Sequence, residues 1–200
     1  PDEMKQMIAA CTRLCRPARR LCLLLLAGLL LVACREADAF LQFAQVDPNG
    51  WTRETGYVFT VDSLPATQDY PLSVMLRKSS DKAYPFRSIT LVVHQRWTLP
   101  VPDAAAQARA DARRHFTAIG QPRPPRCMRD SLLMVRNDTL VADLSADDGE
   151  LRAHGISLHP YTFPLVTLRL PKGAKGRITV RHMMQRENLT GIESVGLRLP

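Results

Sequence analysis

The chain has 200 residues, of which 27 are Lys or Arg and 19 are Asp or Glu, so its formal net charge is +8. This length suits one domain with a sizeable hydrophobic core. The positive balance would allow a nucleic-acid partner, but the sequence shows no basic face interleaved with aromatic residues. We therefore expect no nucleic-acid binding.

The first 33 residues have the layout of a secretion signal. Three arginines, Arg16, Arg19 and Arg20, precede the apolar run Leu21–Ala33, which has 13 residues. A membrane-spanning helix needs about 20 residues, and small Ala33 lies where a signal peptidase would cut. Leu31-Val32-Ala33-Cys34 resembles a bacterial lipobox. In proteins with that motif the cysteine is acylated and becomes the first residue of the mature chain.

These features predict a lipoprotein signal peptide at residues 1–33, a lipidated tether at 34–46 that begins with Cys34, and a folded domain at 47–200. A buried N-terminal helix that contains a cysteine by chance is the alternative. Loss of the signal removes five basic and two acidic residues, which leaves a net charge of +5. Two or more acyl chains hold a protein firmly at a membrane. The outer membrane is favoured, because Arg35 rather than Asp follows Cys34.

Most of the remaining chain alternates apolar and polar residues with a period of two, which predicts strands with one buried and one wet side. In the clearest case, residues 88–99, one face carries Ile89, Leu91, Val93, Trp97 and Leu99. Shorter runs of this kind occupy residues 57–61, 72–76, 132–135, 139–144, 163–170, 176–183 and 195–199. About eight strands separated by turn residues predict an all-β fold, an antiparallel β-sandwich of jelly-roll type.

Two segments interrupt this pattern. The triplet Arg136-Asn137-Asp138 is turn-prone and predicts a hairpin between its flanking strands. Residues 103–120 are rich in Ala and Arg and predict a helix that starts after Pro-Asp and ends at Gly120. A stiff proline-rich linker follows. We interpret residues 102–130, with six arginines against three aspartates, as an insertion between two strands of the sandwich.

The sequence offers no recognisable catalytic or metal-binding constellation. Its five histidines contain no His-Glu-x-x-His motif and no ligand pair on one strand or helix face: His94, His115, His154, His159 and His182. Gly-rich phosphate loops and Gly-x-Ser-x-Gly elbows are also absent. Cys127 would need a histidine to act as a nucleophile, and we interpret it as an unpaired thiol. We expect no enzyme activity, no cofactor, no metal and no small-molecule substrate.

Four stretches of the chain carry a family resemblance: residues 47–55, 70–93, 138–155 and 176–200. The most specific pieces are Tyr84-Pro85-Phe86, which leads into a strand, and the run from Gly191 to Gly196. These glycines predict positive φ or a close approach of another group. In order and spacing the stretches resemble the gliding motility lipoprotein GldH family of the Bacteroidetes. The resemblance covers nearly all of the expected mature chain outside the insertion.

The resemblance implies a non-catalytic lipoprotein of the cell envelope, held at a membrane by acyl chains on Cys34. It also implies protein partners in the gliding or type IX secretion machinery. One alternative is a glycan-binding surface lipoprotein on a β-sandwich, which would need exposed aromatic platforms. The chain has two Trp, Trp51 and Trp97, and we expect both in the core. An envelope hydrolase is a third class, for which no constellation is recognisable.

Overall fold

The computed structural model describes residues 38–82, 84–117, 126–146 and 148–200. The predicted signal peptide at 1–33 and the predicted lipidation site Cys34 lie outside the described residues. The elements are β1 (Phe40–Gln45), β2 (Trp51–Thr52), β3 (Tyr57–Val61), β4 (Gln68–Ser79), β5 (Ser88–Pro102), α1 (Ala104–Thr117), β6 (Met128–Asp143), β7 (Leu158–Leu170), β8 (Lys175–His182), β9 (Asn188–Leu189) and β10 (Ile192–Leu199).

Eight of these strands form two antiparallel sheets. The first sheet has the order β1-β10-β4-β7, the second sheet has the order β3-β8-β5-β6, and the short β2 and β9 pair with each other. Without β2 and β9, this is the strand order of a jelly roll. Apolar side chains from both sheets, including Trp97, form one buried core together with Trp51 of β2. The predicted all-β sandwich is therefore confirmed.

Strand β5 shows how the sequence pattern builds this core. Four of the five apolar side chains predicted for its inner face are fully buried, and Leu99 is partly buried. Gln95 is buried on the same face. Its amide donates to Asp138 Oδ2 at 2.7 Å and accepts from Trp97 Nε1 at 3.2 Å. Because both ends of the amide are hydrogen-bonded, this buried polar group is tolerated.

The predicted hairpin at Arg136-Asn137-Asp138 is wrong. The triplet lies in the middle of β6, which runs without a break from Met128 to Asp143 beside β5. Each turn-prone residue has a partner that keeps it extended: Asn137 bonds His94 at 2.6 Å, and Asp138 pairs with Arg136 at 2.7 Å. Tertiary contacts therefore override the local turn preference.

The structure also differs from the sequence-based boundary at the start of the domain. Residues 40–45, which the pattern assigns to the tether, form β1 and pair with β10 from Phe40↔Leu199 to Gln45↔Ser194. The six letters FLQFAQ do not alternate regularly, so they carry no strand signal of their own. These residues form a strand because their backbone pairs with β10.

The segment interpreted as an insertion leaves and rejoins the second sheet at one point, since Pro102 of β5 lies opposite Met128 of β6. Asp103 caps the helix α1, accepting from the N–H of Ala106 at 3.0 Å. The side chains described on α1, residues 104–113, are exposed or half-buried. The helix therefore lies on the surface, as an excursion between two neighbouring strands.

Two glycines singled out in the sequence have the predicted geometry. Gly191 has a φ of 87°, a left-handed conformation that favours glycine. Gly196 lies directly beneath the ring of Phe43, and a Cβ there would come within 2.6 Å of the ring. The glycine-bounded run is thus explained by backbone conformation at one end and by close approach at the other.

Candidate interaction surface

The described histidines do not converge on a site. Among the described residues, no three His, Cys, Asp or Glu side chains are grouped so that they could hold a metal ion. His94 lies on the outer face of the second sheet, His154 is exposed, and His159 bonds the carbonyl of Ala153 at 2.9 Å. The side chain of His115 lies outside the described residues. These positions suit local structural roles.

His182 is the one fully buried histidine in the described part of the chain. Its Nε2 donates to the carbonyl of Trp51 at 3.0 Å, and the two rings meet edge to face with centroids 5.3 Å apart. Nδ1 has no hydrogen-bond partner. Burial lowers the pKa of His182 and the nearby charge of Arg53 adds to that effect, so the neutral form is favoured. The imidazole packs against the ring of Trp51.

Cys127 lies half-buried where the insertion rejoins the sheet. Its N–H donates to Gln107 Oε1 at 2.9 Å, and it borders a cavity of about 270 Å³ beside the start of α1. The described lining contains Asp111 and Arg126 but no histidine. None of the described lining residues is therefore a histidine base of the kind that activates a thiol nucleophile.

Strand β6 carries the most exposed apolar side chains of the second sheet. Four of them point to the outer face, and we call them the apolar row: Met128, Leu132, Val135 and Val141. Between 52% and 64% of each of these residues is accessible. A register shift opposite Trp97 and Thr98 leaves Leu133 without a partner on β5, and it is also exposed. Such bulges at sheet edges redirect side chains.

A set of cations lies on the same outer face, next to the apolar row. We call it the basic row: Arg96 of β5 and Lys175, Arg177 and Arg181 of β8. The three arginines are exposed. Arg96 lies directly opposite Arg177 in the pairing of β5 with β8, and on its other side it lies opposite Val135. Like charges in that position repel each other.

A shallow cavity of about 320 Å³ opens over this pair. Arg96, Arg177 and Lys175 supply three positive charges to its lining, and Asp130 supplies one carboxylate. That carboxylate is already paired with Lys175 at 3.3 Å. The cavity therefore has a net positive charge, with the hydroxyls of Thr60 and Thr98 beside it.

The alternation of apolar and polar residues along β5 is consistent with Arg96 on the exposed face, but the sequence alone does not reveal the basic row. The alternation on β5 and on β8 shows which side chains face outward, but it does not show that the two strands are neighbours. Arg96 and Arg177 are far apart in sequence and meet through the register of the sheet. Their proximity therefore follows from the pairing of β5 with β8 and is not visible in either strand alone.

The exposed large apolar side chains of the described residues are all aliphatic: Leu41, Val58, Met128, Leu132, Leu133, Val135, Val141, Ile156, Leu158 and Met183. Trp51 and Trp97 are fully buried, as expected from the sequence. The surface described thus offers apolar contact without a large exposed aromatic ring. No helix in the described part of the chain is long and apolar enough to cross a bilayer.

Solved structures resemble the chain only distantly. One of infectious bursal disease virus, Gx strain, has a TM-score of 0.27 and 11% identity, covering 82% of this chain and 29% of that one. A CocE/NonD family hydrolase from Staphylococcus aureus has a TM-score of 0.30 and 10% identity, covering 82% and 33%. Tomato aspermy virus gives a TM-score of 0.23 and 11% identity, covering 83% and 79%. At these TM-scores the likenesses say nothing about function.

No curated protein sequence matches the chain. The GldH lipoprotein family matches residues 126–199, which run from the start of β6 through β10. This stretch contains the apolar row, three of the four cations of the basic row and the glycine-bounded run. Over these residues the match confirms the resemblance to the GldH lipoprotein family that was read from the sequence.

Proposed function

We propose that this protein is a non-catalytic component of the gliding or type IX secretion machinery, held at the outer membrane by acyl chains on Cys34. It acts through contacts with other envelope proteins, and the apolar row on β6 is the contact surface. The family supports a lipoprotein of the gliding-motility class. The lipobox-like sequence before Cys34 supports the anchor, which keeps the domain concentrated at one membrane surface.

The observation that carries this proposal is the exposure of β6. The strand is the last in the order of the second sheet, so no described strand pairs with its outer edge. It runs for 16 residues, well above the five or six typical of strands. Long, exposed edge strands with apolar side chains attract other chains unless a partner covers them. A protein partner on β6 would remove this liability.

The binding free energy that the apolar row can supply is too small to hold a partner by itself. Burying an apolar side chain of this size completely is worth about 1.5–3 kcal/mol. The four members of the row are already about half covered, so a partner would gain roughly 3–6 kcal/mol from them. Association costs about 4–15 kcal/mol in lost freedom. A stable complex therefore needs further contacts, from the edge of β6 or from neighbouring charges.

The test changes the apolar row in the full-length protein in its own host. Leu132→Asp with Val135→Asp should abolish cross-links to machinery components and impair type IX cargo secretion, or gliding where the host glides. Charge on this face disfavours apolar contact. Thr162→Asp with Thr167→Asp is the matched control, because both threonines are exposed on β7 of the first sheet, away from the apolar row. Cys34→Ser should remove fatty-acid label and detach the domain from the membrane.

A glycan receptor would behave differently. Its purified full-length chain would bind a polysaccharide saturably, and the apolar-row variant would leave cross-links and secretion unchanged. Normal secretion in that variant, with its thermal unfolding unchanged from wild type, would contradict the proposed contact surface.

A further inference from the structure

We infer that the basic row is a docking site for an acidic segment of a partner protein, which lies along the outer face of the second sheet beside the apolar row. This inference rests on the proposed function and names the chemistry of the partner. The basic row supplies the polar contacts that the apolar row lacks. Together the two rows form one surface with a positive centre and an aliphatic border.

The geometry of the row favours an extended ligand. Lys175, Arg177 and Arg181 point outward from one strand, and the six residue steps from Lys175 to Arg181 span about 20 Å. Arg96 lies beside Arg177 on the neighbouring strand. The side chain of Arg181 approaches Gly56, where a Cβ would come within 2.7 Å of its Nε. A row of this length matches about six residues of an extended chain.

The charges of the row are unbalanced inside the domain. Among the described residues, no carboxylate forms an ion pair with Arg96, Arg177 or Arg181, and the nearby Asp130 is engaged by Lys175. The opposed pair Arg96 and Arg177 destabilises the sheet, because like charges face each other across neighbouring strands. Carboxylates of a partner would relieve this repulsion and gain bidentate contacts with the guanidinium groups.

The surroundings favour a protein over other anions. Arg96 lies between Arg177 and Val135 across the sheet, and Thr98 beside it lies opposite Leu132, so aliphatic side chains directly border the charges. A protein segment with alternating acidic and apolar residues contacts both rows at once. A polysaccharide would use aromatic stacking, and the exposed large apolar side chains described here are all aliphatic.

The experiment measures binding of a synthetic peptide of about eight residues that alternates Glu and Val. The protein is the full chain in a non-ionic detergent. Arg96→Gln with Arg177→Gln should weaken binding about fivefold to tenfold, as expected for two exposed ion pairs. Raising salt from about 0.05 M to about 0.5 M should weaken wild-type binding and have less effect on the variant.

The matched control removes two outward cations from the first sheet, Arg169→Gln with Arg198→Gln, and should bind the peptide like wild type. Equal weakening in both double variants would show a general charge effect and overturn the inference. Tighter binding of polygalacturonate, or of phosphatidylglycerol vesicles, with the same dependence on Arg96 and Arg177 would assign the site to a glycan or a membrane and would also overturn it.

The inference and the proposed function fail separately. If the Leu132 and Val135 variant loses machinery cross-links while the Arg96 and Arg177 variant keeps both cross-links and peptide affinity, the contact surface stands and the basic row has no part in it. If neither double variant changes the cross-links, the proposed function fails as well.

Discussion

Two cross-strand pairs, one in each sheet, place an arginine in opposite surroundings. In the first sheet, Arg169 of β7 lies opposite Asp69 of β4, and their charged atoms are 3.9 Å apart. In the second sheet, Arg177 of β8 lies opposite Arg96 of β5. The first arrangement stabilises a sheet and the second destabilises it, by about 0.2–1 kcal/mol in either direction. Stability alone explains only the first.

The same contrast extends over both outer faces. On the first sheet Arg77 lies 3.9 Å above the ring of Phe43, and Arg198 is paired with Asp38 at 2.8 Å. Each of these cations has its partner within the domain. On the second sheet Arg96 and Arg177 have no carboxylate among the described residues. Arg77 and Arg198 on the first face therefore have partners within the domain, whereas Arg96 and Arg177 on the second face have unmet contacts that a partner protein could supply.

The largest effect we expect tests how rigidly each sheet is packed. A Cβ on Gly176 in the second sheet would come within 2.5 Å of the ring of Trp97, which is fully buried and has no room to move. Gly176→Ala should therefore lower the free energy of unfolding by about 3 kcal/mol. On the first sheet, Gly196→Ala should cost about 1 kcal/mol, since Phe43 is only half-buried and can swing outward.

Chemical denaturation of the full chain in detergent measures both values. An equal loss of unfolding free energy in the two alanine variants would contradict this expectation. It would show that Phe43 on the outside of the first sheet is held as rigidly as Trp97 in the core.

The next effect concerns His182, on the inner face of the second sheet. Burial lowers its pKa in the folded state, so between that value and the ordinary 6.5 the unfolded chain binds more protons than the folded one. Stability is therefore fully present above pH 6.5 and falls as the pH drops below it, by up to about 1.4 kcal/mol per pH unit. His182→Gln should flatten this part of the curve of unfolding free energy against pH.

His159→Gln is the control for that experiment, because His159 is half-buried at the edge of the first sheet and has partners on both ring nitrogens. If the pH dependence of the unfolding free energy persists in His182→Gln and disappears in His159→Gln, the titrating group is His159 and the prediction for His182 is wrong.

The sequence predicts much of this fold because its main signal is local. Alternation along β5 identified the buried face that carries Ile89 and Trp97. It failed where partners decide the structure: Asn137 and Asp138 stay extended because His94, Arg136 and Gln95 bond them. It failed again at β1, which is held as a strand by its pairing with β10.

The candidate surface was less predictable than the fold, for a related reason. An apolar contact patch on the sandwich could be anticipated, but its location on β6 required knowing that this strand is one continuous edge. The predicted turn had divided it in two. The pair of Arg96 with Arg177 depends on strand register, which neither strand specifies alone.

The smallest expected effect tests the difference between the two sheets most directly. The same substitution, Arg to Glu, should change the free energy of unfolding in opposite directions in the two sheets. Arg177→Glu replaces a repulsive pair with an attractive one and should raise the free energy of unfolding by about 0.5 kcal/mol. Arg169→Glu places two carboxylates opposite each other on β7 and β4 and should lower it by a similar amount. Both variants change the net charge equally, so a global charge effect would move them in the same direction.

Binding of the Glu–Val peptide separates stability from function in these two variants. The more stable Arg177→Glu protein should bind the peptide more weakly than wild type, because the new carboxylate engages Arg96 and repels the ligand. The less stable Arg169→Glu protein should bind it normally, since Asp69 and Arg169 lie on the other sheet. If the Arg177→Glu protein is more stable than wild type and binds the peptide with unchanged affinity, the pair of Arg96 and Arg177 takes no part in binding an acidic ligand. A gain in stability with a loss of affinity would show that the second sheet tolerates its arginine pair for the sake of a partner.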